Sequence, residues 1–385
     1  MWWAFKCNVG NNEMTYWTVE ECCDILDKQR VPVTESERVK GQYPYYGANG
    51  VQDYVADFIF DDELVLVAED GGNFGSRTKP IAYRVSGKCW VNNHAHVLKA
   101  HPVVDDDFLC YSLMYYPVDQ LVNGSTRKKL NQAELRKMRV PQIPLVEQRD
   151  IVQKLHTLEE SVFNRQRVLA LLDKLVKARF VEMFGEQIIG EKGWQHTSLD
   201  ALCNDIVDCP HSTPHYVNND TGFGCIRTTI VKKNRLLWEN LEYISEDEYN
   251  DRTKRRKPQQ GDIVYTREGA ILGIAAVIDR ATNVALGQRT MLLSQNKKIC
   301  NSVFLCTVMN SDSFYKQVTQ GMLGSASPHI NVKDIKKFKI PVPPLAMQNK
   351  FAAFVHQVDA SKAAVQAQLA GLTTLRAKLM QDFFG

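Results

Sequence analysis

The chain has 385 residues, with 47 lysines and arginines against 44 aspartates and glutamates and a formal net charge of +3, too balanced for a binder that grips nucleic acid by bulk charge. Its 44% apolar content and lack of low-complexity tracts exclude a disordered chain and allow two sizeable cores. The start, MWWAFKCNVG, lacks the apolar core of a signal peptide, no apolar run is long enough to span a bilayer, and ten scattered cysteines are not needed as disulfide staples, so a soluble cytoplasmic protein is expected.

Residues 1–140 form a first variable region, with 16 basic and 19 acidic residues, so any nucleic-acid face here must be local or shared with a partner. Thr18 to Leu26 (TVEECCDIL) predicts a short capped helix. Gln42 to Gly50 (QYPYYGANG) predicts a turn that presents Tyr45, Tyr46 and Asn49; the competing reading is a hairpin end with both tyrosines in the core. Glu63 to Ala68 predicts a buried strand that runs into Glu69 to Gly75 (EDGGNFG). That glycine run is no phosphate loop, because no Gly-Lys-Ser/Thr ending and no helix pattern follow it, but it can bring backbone close to another molecule. Asn73, Arg77 and Lys79 lie in or just beyond it, and a strand is predicted from Trp90 to Ala100 with Asn92, Asn93, His94 and His96 in or beside it. A short helix around Asp107 to Tyr116 leads to Gly124 to Leu130 (GSTRKKL), whose hydroxyls and bases suit phosphate contact, with a solvated charge run as the alternative.

Residues 141–185 then open on Pro-x-x-Pro-Leu-x-x-Gln and continue with apolar residues at alternating spacings of three and four, Ile151, Leu155, Leu158, Val162, Leu169, Leu172, Val176 and Met183. Prolines before the first turn and a glycine after the last bound one long helix of about 60 Å. A helix of that length needs a partner along its seam.

Residues 186–340, with 20 basic and 17 acidic residues, repeat the plan with changed side chains. Thr197 to Cys203 echoes the opening helix, Gly261 to Gly269 echoes the strand and loop at Glu63 to Gly71, Leu286 to Met291 stands where the asparagine and histidine strand stood, and Gly324 to Ile330 replaces the Gly124 loop. Asp208 to Pro214 (DCPHSTP) and Cys225 to Lys233 have no counterpart and offer His211, Ser212, Thr213, Arg227 and Thr228; Lys254 to Lys257 reads as solvated surface. Residues 341–385 then match residues 141–185 without a gap, from Pro141 and Pro341 to Gly185 and Gly385. A period of about 200 residues is too long for a solenoid and marks a duplicated module. The two helices are each other's simplest partner, in an antiparallel coiled coil whose seam is broken at Arg165 and Arg179 in one copy and at Lys362 and Arg376 in the other.

Catalytic signatures are missing: no Walker A sequence, no Gly-x-Ser-x-Gly elbow, no His-Glu-x-x-His pair and no Asn/Asp-Pro-Pro-Tyr/Phe motif occur. Cys203, Cys209, His211, His215 and Cys225 lack the paired spacing of a zinc site.

The two Pro-x-x-Pro-Leu-x-x-Gln helix starts, the two long helices and the loops YYGANG, AEDGGN and DCPHSTP together resemble the DNA-specificity subunit of Type I restriction-modification systems, over nearly the whole chain. The resemblance implies an α+β fold with two target-recognition domains built on twisted β-sheets, at 1–140 and 186–340, separated by helices at 141–185 and 341–385. It implies a non-catalytic subunit that reads a bipartite, asymmetric sequence in double-stranded DNA, with the helix pair as spacer. Partners would be two modification subunits, which bring S-adenosylmethionine and methylate adenine, and restriction subunits, which bring ATP and Mg; no cofactor or metal is expected in this chain, and no membrane partner. Candidate DNA contacts are then Tyr45, Tyr46, Asn49, Asn73, Arg77, Lys79, Asn92, Asn93, His94, Ser125, Thr126, Arg127 and Lys128 in the first domain. In the second they are His211, Ser212, Thr213, Arg227, Thr228, Arg267, Gln288, Arg289, Ser325, Ser327 and His329. A coiled-coil scaffold with two protein-binding domains is the alternative, favoured by an apolar patch on those domains; an enzyme centred on the cysteine and histidine cluster is a third reading, which bound zinc would favour.

Overall fold

The computed structural model describes residues 15–76, 78–124, 128–185, 193–269, 271–320 and 329–385. The chain forms two compact units, Met1–Gln166 with Gln366–Gly385, and Arg167–Val365. These do not follow the four sequence segments: each unit takes one variable region and one half of each long helix. The reason is the antiparallel course of the helix pair, visible inside each unit separately.

Both helices are continuous over 40 residues, Leu145–Phe184 and Leu345–Phe384. In the first unit Leu155 joins a core that Leu379, Met380, Phe383 and Phe384 cover, while one turn further on Glu159 meets Arg376 at 3.0 Å. In the second unit Asp173 meets Lys362 at 2.7 Å, and further along Phe180 and Phe184 pack on Phe351 at 5.4 and 5.6 Å. Residue numbers rise along one helix as they fall along the other, in both units. Lys362 and Arg376, two of the four predicted breaks in the seam, are therefore cross-helix ion pairs. Exposed pairs of this kind add little stability, so their use is register. Arg179 instead pairs with Glu182 on its own helix, at 2.6 Å.

The repeated helix start has a physical reason. The side chain of Gln148 is buried; its Oε1 accepts from Asp105 N at 2.8 Å, and its Nε2 donates to Val103 O at 3.0 Å and Ile143 O at 2.8 Å. Gln348 repeats this, accepting from Asn301 N at 2.9 Å and donating to Ile299 O at 3.1 Å and Pro343 O at 2.8 Å. Asp105 and Asn301 are themselves the N-caps of the helices Asp106–Met114 and Ser302–Met309. One glutamine thus bolts each long helix to the capped helix of its own unit.

The first unit holds a six-stranded sheet in the order Cys23–Ile25, Ala95–Ala100, Phe60–Ala68, Ala82–Val91, Lys40–Gly47, Gly50–Val55. The central strand is buried on both faces: Val65 and Val67 enter the core against Phe108 and Leu109, and Leu64 and Leu66 enter a second core with Val85 and Val97. That explains an apolar run without alternation. Three expectations are corrected here. The predicted helix at Thr18 to Leu26 is four residues, Val19–Cys22 behind a Thr18 capping box, because the residues after it join the sheet edge. Gln42 to Gly50 is mostly strand, with the turn only at its end. Trp90 to Ala100 is two strands joined by a turn at residues 92–94 beside Glu69, and both run antiparallel to Phe60–Ala68, one on each side of it.

The second unit repeats the central order with Cys203–Asp208, Thr290–Gln295, Ile263–Thr266 and Ala275–Val277. A further sheet, Tyr216–Val217, Glu242–Ile244, Gly224–Ile226 and Val284–Leu286, takes in the start of the stretch Cys225 to Lys233, and Asp208 to Pro214 lies outside it.

Candidate nucleic-acid interface

Both units place their polar chemistry at the end of the central strand. In the first unit Glu69 N donates to His94 O at 2.9 Å, and Glu69 O accepts from Leu130 N at 2.8 Å. In the second unit Arg267 N donates to Arg289 O at 3.0 Å, and Arg267 O accepts from Ile330 N at 3.0 Å. One backbone position therefore ties a strand end, a turn and a loop together in each repeat. Two residues on, Gly71 and Gly269 have φ of 63° and 80°, a left-handed conformation that costs any side-chain-bearing residue, so these glycines turn the chain.

The side chain at that position is acidic in one unit and basic in the other. Glu69 takes a hydrogen bond from Arg30 at 2.6 Å and pairs with Lys129 at 2.9 Å. His96, fully buried beside it, sets Nδ1 2.6 Å from Asp27 Oδ2 and Nε2 2.9 Å from Leu130 O. Both ring nitrogens face hydrogen-bond acceptors. Asp27, Glu69 and His96 also bring their ligand atoms within metal-binding reach of one another.

Burial by itself would raise the Asp27 and Glu69 carboxyls. The hydrogen bond and charge of His96 on Asp27, and those of Lys129 and Arg30 on Glu69, hold both below the ordinary carboxylate range. A carboxyl depressed in the folded state contributes stability above its unfolded value and loses it as pH falls through the folded one. The urea midpoint of the first unit is therefore expected to drop as pH is lowered from about 4.5 toward 3, and Asp27→Asn should flatten that dependence. A profile identical in the two proteins would sink this account.

In the second unit Arg267 lies between two carboxylates, with Nε 2.8 Å from Asp208 Oδ1 and Nη2 3.2 Å from Glu268 Oε1; the first is an ion pair without the alignment of a hydrogen bond. Asp208 in turn reaches His211 at 3.4 Å, and Glu268 reaches Arg289 at 3.8 Å. Four charges, Asp208, Arg267, Glu268 and Arg289, alternate in sign, with the exposed His211 ring at one end and exposed Arg289 at the other. Gln288 Nε2 donates to His211 O at 2.6 Å and joins the two ends. Arg252, buried, donates to Ser212 O at 3.1 Å and Pro210 O at 3.4 Å, and so shapes the loop that carries Ser212.

The cysteine and histidine set does not converge. Cys203, Cys209 and Cys225 sit in three separate cores, whereas His211 and His215 are exposed. Burial pushes the Cys225 thiol up to about 11 and Cys203 to about 12, which disfavours the thiolate that a metal needs.

A sequence model described as Type I restriction modification DNA specificity domain matches residues 11–170 and, a second time, residues 194–373. The chain belongs to this family. A type I restriction enzyme specificity subunit of Haemophilus influenzae is 26% identical over 359 residues, 90% of this chain and 88% of its own. The MjaVIII specificity subunit of Methanocaldococcus jannaschii is 22% identical over 374 residues, 89% and 86% of the two chains. The crystal structure of an S subunit of a Type I restriction-modification system from M. genitalium shares the fold, with a TM-score of 0.61 at 17% identity over 98% of each chain. Membership makes this specificity subunit a recognition component of a restriction-modification complex and not its catalytic one. Among the described residues no helix is long and apolar enough to cross a membrane.

Within the specificity domains the predicted contact residues divide by burial. Tyr45, Asn92 and Arg267 are corrected to framework, because each is buried and engaged. The Tyr45 hydroxyl lies 3.2 Å from both Val33 N and Val33 O beneath the Arg38 guanidinium, as in the hairpin reading; Asn92 accepts from His94 N at 2.8 Å and donates to Gln52 Oε1 at 3.0 Å. Tyr46 is half-buried against Tyr83. Asn49 braces the glycine turn through Gly71 O at 2.9 Å, and Asn73 holds Pro80 O at 3.2 Å. His94 is left on the face with Asp70 at 2.8 Å, and Asn93, Lys79 and Lys128 are exposed.

In the second domain His211, Ser212, Thr213, Arg289 and His329 are exposed, and Gln288 and Thr228 are half-buried. Arg227 pairs with Glu242 at 2.6 Å across the Tyr216 ring. Its strand lies against the reading turn, since Gly287 N donates to Ile226 O at 2.9 Å and a Cβ on Gly287 would lie 3.3 Å from Arg227 Cα. Arg77, Ser125, Thr126, Arg127, Ser325 and Ser327 lie outside the described residues. The sequence reading passed over Asp27, Arg30, Asp208, Arg252 and Glu268; charged residues at the borders of apolar strands are the signal that points to them.

Proposed function

We propose that this chain gives a Type I restriction-modification complex its DNA sequence preference, each unit reading one half of a bipartite, asymmetric target in double-stranded DNA. One observation carries this reading: the same backbone frame occurs twice, and the side chains on its exposed turn differ, His94 with Asp70 in one unit and Gln288 with Arg289 in the other. A fixed frame with altered donors and acceptors is what two readers of different bases require. Exposed Lys79, Lys128 and Ser212 suit the phosphates on either side. The long helices would dock two modification subunits, one per repeat, which bring S-adenosylmethionine and methylate adenine; restriction subunits would bring ATP and Mg, and the complex would work on DNA in the cytoplasm. The protein-binding scaffold is less well supported, because the repeated frame varies in polar side chains at its exposed turn and the chain matches the specificity-domain family over both repeats.

The test is long-read mapping of adenine methylation in cells that express this chain with and without its modification subunit. A bipartite motif present only with both is expected. His94→Ala should then relax one half of that motif and Arg227→Ala the other. Degeneracy in both halves from either substitution would count against reading by separate units.

A further inference from the structure

We propose that Arg289 reads a guanine in the half-site taken by the second unit, with Glu268 holding its side chain in place. This rests on the DNA-reading function above and assigns a base to one residue.

Asn234 and Arg289 are the non-glycine residues with left-handed backbone among those described, at φ of 64° and 65°. Asparagine tolerates that region; arginine does not, and glycine would fit Arg289's backbone better. An arginine kept there in spite of its backbone points to a use for its side chain, and the protein itself makes little use of it. The side chain is 62% exposed, its nearest charge is Glu268 Oε2 at 3.8 Å, beyond hydrogen-bond distance, and among the described residues it makes no hydrogen bond.

The surrounding charges explain why it does not collapse onto Glu268. That carboxylate is shared with buried Arg267 at 3.2 Å, and Arg267 is shared again with Asp208. Glu268 is thus half-neutralised from the protein side, strong enough to aim Arg289 through Nε and too weak to capture its fork. The backbone is fixed as well: Arg289 O accepts from Arg267 N, Gln288 is tied to His211 O, and Thr290 begins the strand that pairs with Thr266.

What remains outward is a planar set of donors with no acceptor. In the major groove, guanine offers two acceptors side by side, N7 and O6, that match this fork. Adenine replaces one of them by an N6 donor, and cytosine offers a donor, which guanidinium cannot accept. A phosphate would also satisfy an arginine, but a phosphate contact carries no base preference.

The experiment uses the full chain with its modification subunits. Two variants are compared, Arg289→Gly, which suits the left-handed backbone and so retains the fold, and Arg289→Lys, which keeps the charge and loses the fork. Arg289→Gly is expected to make one guanine position degenerate in one half of the methylation motif, with the other half unchanged, and Arg289→Lys to keep part of the preference, because an ammonium can still donate to N7 and O6. Replacing that guanine by 7-deazaguanine in a duplex removes N7 and leaves O6, so it should weaken binding of the unsubstituted complex by about 2- to 10-fold, the worth of one hydrogen bond of the pair, and should weaken the Arg289→Gly complex no further. A motif intact in Arg289→Gly with uniformly weaker binding would overturn the inference in favour of a phosphate contact. Absence of any bipartite motif from the unsubstituted chain would instead overturn the proposed function, and the guanine assignment with it.

Discussion

Arg267→Met is expected to destabilise the second unit by about 3 kcal/mol and to abolish reading of its half-site. The guanidinium is 5% exposed and lies between Asp208 and Glu268, whose side chains are 20% and 28% exposed. Methionine fills the space but removes the buried cation between the Asp208 and Glu268 carboxylates. The functional consequence is separate from the stability loss. Released from Arg267, Glu268 would pair fully with Arg289, and the turn would present a neutralised side chain. Denaturant unfolding of the full chain should show a lower midpoint for one of two transitions, and methylation mapping should show one half of the motif lost. Adding Asp208→Asn and Glu268→Gln to Arg267→Met should recover much of the stability and none of the base preference. Recovery of both would mean that Arg267 serves packing alone.

Gln148→Leu and Gln348→Leu are each expected to cost about 3 kcal/mol, one in each unit. The cost comes from what is left behind. Leucine is close in volume, but the N–H of Asp105 or Asn301 and two backbone carbonyls lose their partner in a closed interior. The bolt between long helix and capped helix loosens at that point. Glutamate at the same positions keeps the acceptor but turns its other oxygen toward two carbonyl oxygens in a closed interior, so it should cost at least as much as leucine. The unfolding midpoints of the four single variants decide this; leucine variants with unchanged midpoints would rule out the three hydrogen bonds as the cause. Unit-specific changes are expected, Gln148 variants shifting the transition of the first unit and Gln348 variants that of the second.

Several features were already legible in the residues alone. The gapless match of residues 141–185 and 341–385 established the duplication, because side chains that bolt and pair a helix must recur at the same places when the helix is copied. The long helices followed from apolar spacing, and the central strand from the run Leu64 to Ala68, since both patterns are local consequences of how side chains leave a helix or a strand. The residue types expected at the site, asparagine, histidine, glutamine and arginine in loops, were also visible, as was the absence of catalytic motifs.

The sequence could not show which of those residues face outward. Arg267 and Arg289, Asn92 and His94, and Tyr45 and Asn49 are close neighbours on the turn or hairpin they help build, yet within each pair one is framework and the other lies on the face. Their fates rest on partners far along the chain: Arg267 on Asp208, Asn92 on Gln52, Tyr45 on Val33, and the buried His96 on Asp27. Local pattern carries no information about such pairings. The division into units has the same cause, because antiparallel pairing brings the start of one helix beside the end of another some 200 residues away, and only tertiary packing decides that each core is closed by halves of both.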